Sequence, residues 1–132
     1  MMKLVFISAN TVVKINKSIC SEYRNNFVCY GVGKVESALH SAFYPGTYPF
    51  QHGGIAGIAG AIAFYITQAH AFFDANKRTA VVSSLTFLGL NGKNLAYPKT
   101  PDALADLIEG CADGKVDKED IIKWYELHID SL

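Results

Sequence analysis

From Ile55 to Ile66 every residue is apolar or glycine, and this run does most to limit the fold. A helix that is apolar all round has no face for water and must be covered on every side. The run is too short to span a bilayer, which takes about 20 such residues. It is therefore expected to be a buried core helix of a soluble protein, running from Gly54 to about His70. Its glycines weaken helix propensity but let neighbouring backbones approach closely. The chain has 132 residues, half of them hydrophobic and 18% charged, enough for one compact core and too few for two. A single domain over residues 1–132 is expected.

The remaining segments read mostly as helices. Asn10 or Thr11 can cap a helix to about Arg24, with Val12, Ile15, Ile19 and Tyr23 on one stripe. Asn25 to Gly33 reads as loop, and Lys34 to about Ala42 as a short helix with Val35, Leu39 and Ala42 inward. Asn76 to about Leu90 forms a second buried helix through Val81, Val82, Leu85, Phe87 and Leu88, stopped by Asn91-Gly92. Pro101-Asp102 opens a helix to about Cys111. Asp117 caps a last helix ending near His128, with Ile121, Trp124, Tyr125 and Leu127 or His128 facing the core or a partner. Lys3 to Ile7 can form a short initial strand, and the turn-rich Tyr44 to Pro49 a small hairpin or flap. The expected class is all-α: a compact, irregular helical bundle.

Formal net charge is zero, so the broad electrostatic footprint of a nucleic-acid binder is missing and direct nucleic-acid binding is not expected. Cys20, Cys29 and Cys111 are odd in number and lack CxxC spacing, which argues for reduced thiols rather than a zinc site or disulfide framework. Met1 to Ile7 does not resemble a signal peptide. These features together point to a cytoplasmic protein without a membrane span.

Between the two apolar helices lies His70-Ala71-Phe72-Phe73-Asp74-Ala75-Asn76-Lys77-Arg78-Thr79. Lys77 and Arg78 stand where a helix begins. The dipole there is positive, so each cation costs about 0.3–1 kcal/mol unless a negative group lies beside it. A phosphate fits, because free N–H groups at a helix start bind anions. His70 can take a proton from a hydroxyl near neutral pH; the alternative is a helix-terminal histidine bonded to backbone. Asp74 can hold Mg²⁺ that bridges phosphates, or cap the following helix. Asn76 can cap, fix the loop or donate to phosphate. Lys77 and Arg78 offer a point charge and a planar fork for phosphate oxygens; otherwise they are a solvated pair. Phe72 is an anchor that plugs the loop into the core.

This stretch resembles the signature of the Fic/Doc family, and specifically its Doc (death-on-curing) branch. The Fic form runs histidine, proline, phenylalanine, any residue, acidic, glycine, asparagine, glycine, arginine, two residues, arginine. The Doc branch typically has lysine in place of the last glycine. Here Ala71 replaces the proline, Ala75 the first glycine and Lys77 the second, and Val81 stands at the final arginine position. The likeness covers roughly Gly31 to Gly92. Lys77 fills space that an adenylylating site keeps open, and Val81 removes the arginine that seats the distal phosphates. The resemblance therefore implies a Doc-like toxin of a toxin–antitoxin system. Such a toxin is a kinase that transfers the γ-phosphate of ATP to a hydroxyl of a translation factor, elongation factor Tu. It implies His70 as base, Asp74 as Mg²⁺ ligand, and Asn76, Lys77 and Arg78 as phosphate holders.

The family often has a flap that aligns the target chain as an added strand. Tyr44 to Phe50 lies at that place, with Tyr44, Thr47 and Tyr48 as candidate target-binding residues, or as packing feet under an ordinary loop. The family also restrains itself with a Ser/Thr-x-x-x-Glu-Gly/Asn motif. Ser18 to Glu22 has the spacing but is followed by Tyr23; Glu109-Gly110 has the ending but begins with Ala105. Restraint is then expected from a separate antitoxin protein. The competing readings are a Fic-type AMP transferase and an inactive module that binds an antitoxin.

Overall fold

The computed structural model describes residues 4–44, 54–95 and 102–131. Among them are six helices: α1 (Ala9–Tyr23), α2 (Val32–Phe43), α3 (Ile55–Ala69), α4 (Asn76–Leu90), α5 (Asp102–Ala112) and α6 (Lys118–His128). Among the described residues no helix is long and apolar enough to cross a membrane. The expected all-α architecture holds, with one small antiparallel ribbon added.

The apolar run forms α3, the hub of the fold. It packs against α2, α4, α5 and α6, and Ile58, Ala59, Ala61, Ile62 and Ala63 have no exposed surface. Gly60 shows why glycine occurs in such a helix. A Cβ there would stand 2.9 Å from the Ile122 Cα on α6, so the two backbones meet where only hydrogen fits. Helix α4 lies against α3 with small, mostly polar residues inward: Thr79, Ala80, Ser83 and Ser84 are buried ahead of Phe87 and Leu88. Val82 of the expected apolar set is instead 38% exposed. Ser84 bonds the Tyr125 hydroxyl of α6 at 2.6 Å, which satisfies two buried polar groups at once.

Caps fix the helix ends. Asp117 and Asp120 form a reciprocal capping box at the start of α6, so the last helix begins where its sequence indicates. The first helix begins earlier than expected. Its cap is Ser8, whose Oγ accepts from the Thr11 N–H at 3.2 Å, and Asn10 lies inside the helix. Tyr23, expected on the buried stripe, is half-exposed, and Leu127 of α6 is fully on the surface.

The expected N-terminal strand is not formed by residues 4–8, which carry no regular secondary structure. The Asn91 side chain takes the place of a strand partner. Its Oδ1 accepts from Val5 N–H and its Nδ2 donates to Val5 O, both at 2.8 Å. The ribbon instead pairs β1 (Lys93–Leu95) with β2 (Ile129–Ser131), in the register Lys93 to Ser131 and Leu95 to Ile129. Short strands so far apart in the chain leave no alternation long enough to read.

Candidate active site

The motif forms the turn from α3 into α4. Its two ends take left-handed backbone: His70 (φ 46°, ψ 46°) closes α3, and Ala75 (φ 63°, ψ 28°) precedes α4. Side chains other than glycine rarely adopt this region, at a cost of about 1–3 kcal/mol each. Ala75 stands at the family's first glycine, and the geometry supplies the reason for glycine there: it occupies left-handed backbone without strain.

Several contacts hold the strained turn. The Tyr30 N–H donates to Ala71 O at 2.8 Å and the Phe73 N–H to Val28 O at 2.9 Å, so the α1–α2 connection lies beside the motif as a partner strand, with a bridge between Cys29 and Phe72. Phe72 is buried in the core at 2% exposure, as an anchor should be. Asn76 accepts from the Phe72 N–H at 3.1 Å and donates to Phe72 O at 2.7 Å. Of the uses open to it, fixing the loop is the one its side chain makes.

Asn16 on α1 completes the frame. It has no exposed surface, and its Nδ2 donates to the Asp74 backbone carbonyl at 2.8 Å and to the Thr79 hydroxyl at 2.9 Å. One side chain thus ties α1 to the loop and to the first turn of α4. The sequence reading passed over it. The signal was an amide on the apolar stripe of α1, one turn from both Val12 and Cys20. The Cys20 Sγ lies 3.5 Å from the Asn16 Oδ1. Burial, and then the negative charge of Asp74, push this thiol above its ordinary range.

His70, Asp74, Asn76, Lys77 and Arg78 all line one cavity of about 420 Å³, together with Thr67, Phe73, Ala75 and Ala112. His70, Lys77 and Arg78 are exposed and Asp74 half-buried. Asp74 does not cap α4. Its carboxylate accepts from the Asn26 N–H at 3.3 Å, a long bond that leaves most of its acceptor capacity free. Among the described residues no three His, Cys, Asp or Glu side chains gather to hold a metal by themselves. A single carboxylate with spare acceptor capacity is the kind of ligand that suits Mg²⁺, which takes few protein ligands and completes its shell with phosphate oxygens and water.

The two cations are compensated without phosphate. Lys77 pairs with Glu109 of α5 at 2.7 Å, and Arg78 lies over the Tyr23 ring, 4.0 Å from its centroid. Glu109 belongs to the incomplete Glu-Gly sequence on α5, and its carboxylate supplies the negative charge expected beside a cation at this helix start. Tyr44 stands apart from the cavity, at the end of α2 among the rings of Phe6, His40 and Phe43. Thr47, Tyr48 and the rest of the flap lie outside the described residues.

The family model described as Fic/DOC matches residues 6–88, well over half of the chain. The match takes in α1 with Asn16, the α1–α2 connection, the motif loop and most of α4. The protein belongs to the Fic/DOC family, whose members generally transfer nucleotide-derived groups to proteins. No curated protein matches the chain at a significant level.

Proposed function

We propose that this chain is a Doc-like toxin kinase that moves the γ-phosphate of ATP to a hydroxyl of a protein target, a translation factor such as elongation factor Tu, and is restrained by an antitoxin protein. One observation carries the reading. His70, Asp74, Lys77 and Arg78 share a single cavity, while Val81 lies on the wall of a different one. The residues proposed as base, metal ligand and phosphate-holding cations thus share one cavity, and valine, which cannot hold phosphate, stands at the position of the family's final arginine.

In the proposed reaction His70 accepts the proton of the target hydroxyl. The oxygen bonds to the γ-phosphorus, the bond to the β–γ bridging oxygen breaks, and ADP leaves. Lys77 and Arg78 neutralise the equatorial oxygens, and Mg²⁺ held at Asp74 would add charge stabilisation. Phosphoryl transfer needs little beyond such positioning and electrostatics. His70 lines the cavity and is exposed, so a macromolecular hydroxyl can reach it. Asn76, committed to the Phe72 backbone, keeps the loop in shape and so acts on phosphate through its neighbours.

The test is label transfer in bacterial lysate with Mg²⁺. Label from γ-labelled ATP should move to one protein, and label from α-labelled ATP should not. Transfer of α-label with a mass gain of AMP would replace the kinase reading by nucleotidyl transfer. No transfer from a folded protein, together with capture of a small antitoxin, would favour the inactive binding module.

A further inference from the structure

Lys77 and Arg78 line a second cavity as well as the first. It also measures about 420 Å³ and lies between α4 and α5. Val81, Val82, Leu104, Ala105 and Ile108 form its apolar wall, and Glu109 is its acidic residue. We propose that this second cavity receives the base of the nucleotide whose phosphates lie in the first. The inference rests on the phosphotransfer reading given above.

A nucleotide has two unlike ends. Its phosphate chain needs cations and N–H donors, whereas its base needs an apolar slot with a few polar groups. The two cavities divide in the same way, and the shared Lys77 and Arg78 form the wall between them. Val81 lies one helical turn beyond Lys77, on the same side of α4. A cation at that position would extend the phosphate cradle; valine ends it and gives apolar surface to the second cavity. The part of the ligand that passes Lys77 and Arg78 must therefore be uncharged. Glu109 adds to this selection. A carboxylate only accepts hydrogen bonds, so it pairs with the ring or amino N–H of a base and repels a phosphate. Its ion pair with Lys77 is open to water, at 48% and 55% side-chain exposure, and pairs of that kind hold weakly. A phosphate arriving at Lys77 can displace it and free the carboxylate for the base.

The experiment compares binding of ATP–Mg²⁺ and of inorganic tripolyphosphate–Mg²⁺ to the full chain by calorimetry. It uses the wild type and two cavity-filling variants, Ala105→Trp and Val82→Trp. Both positions are exposed, so the core is untouched, and the two variants enter from opposite walls. The wild type should bind ATP more tightly than tripolyphosphate. Each variant should shift ATP affinity by about tenfold or more, expected as a loss because the indole fills the space, and leave tripolyphosphate within about twofold. Three results overturn the base site while leaving the phosphate site standing: ATP affinity unchanged in both variants, an equal loss for both ligands, or equal wild-type affinities. A folded wild type that binds neither ligand overturns the phosphotransfer reading and this inference together.

Discussion

The motif loop is held on two sides in different ways. Towards α1 the contacts are neutral and made by a buried side chain: Asn16 bonds the Asp74 carbonyl and the Thr79 hydroxyl. Towards α5 the contact is an exposed ion pair, Lys77 with Glu109. Asn16 and Thr79 have no exposed surface, so solvent competes little for their bonds, and each lost bond leaves a polar group unpaired. The exposed side competes with solvent and with any incoming anion. One side therefore holds the shape of the loop, and the other can exchange partners.

That contrast makes graded predictions. The largest effect belongs to His70, an exposed residue of the cavity. His70→Ala should reduce γ-phosphate transfer by about 10²–10⁴-fold, the usual worth of a general base. Because the residue is exposed, unfolding stability should change by no more than about 0.5 kcal/mol. Transfer at the wild-type rate by the folded variant would remove the base assignment.

Asn16 tests the buried side. Asn16→Ala strands the Asp74 carbonyl and the Thr79 hydroxyl and should cost about 2–3 kcal/mol of stability, read as a lower urea midpoint with an unchanged slope. It should also weaken phosphate binding, because the loop loses its frame. A variant as stable as the wild type would show that this side does not set the shape.

Ala75 tests the strain between the two sides. Ala75→Gly removes a left-handed alanine at the head of α4 and should stabilise the fold by about 1 kcal/mol, the relief exceeding the added chain entropy of glycine. Differential scanning calorimetry should show a higher Tm; a lower one would mean that the loop tolerates the alanine without strain.

The smallest effect belongs to Glu109. Glu109→Gln should free Lys77 and raise tripolyphosphate affinity by up to about fivefold at low salt, with the gain fading as ionic strength rises. Unchanged affinity at every salt concentration would show that the ion pair does not compete with phosphate.

Helix positions were legible to within a few residues because burial imposes its own period on the chain. The run from Ile55, the stop at Asn91-Gly92 and the cap at Asp117 each carry a local physical signal. The residue types of the site were legible too, since His70, Asp74, Lys77 and Arg78 make little sense as an ordinary helix start. Residues that act across the fold were not. Asn16 lies far from the motif in sequence, Glu109 approaches Lys77 from another helix, and the ribbon joins segments too short to show a pattern.

The sequence alone determined a helical bundle around an apolar core helix, the polar loop that interrupts it, and the chemical types gathered there. Those follow from short-range rules: periodicity, capping and the helix dipole. Only the tertiary structure decided that Asn16 frames the loop, that Glu109 neutralises Lys77, that Ala75 carries strained backbone, and that the two cations divide two cavities. Each depends on which helix faces which at a distance of a few ångströms. That arrangement is settled by how α1, α4 and α5 pack around α3, and no local stretch of sequence contains it.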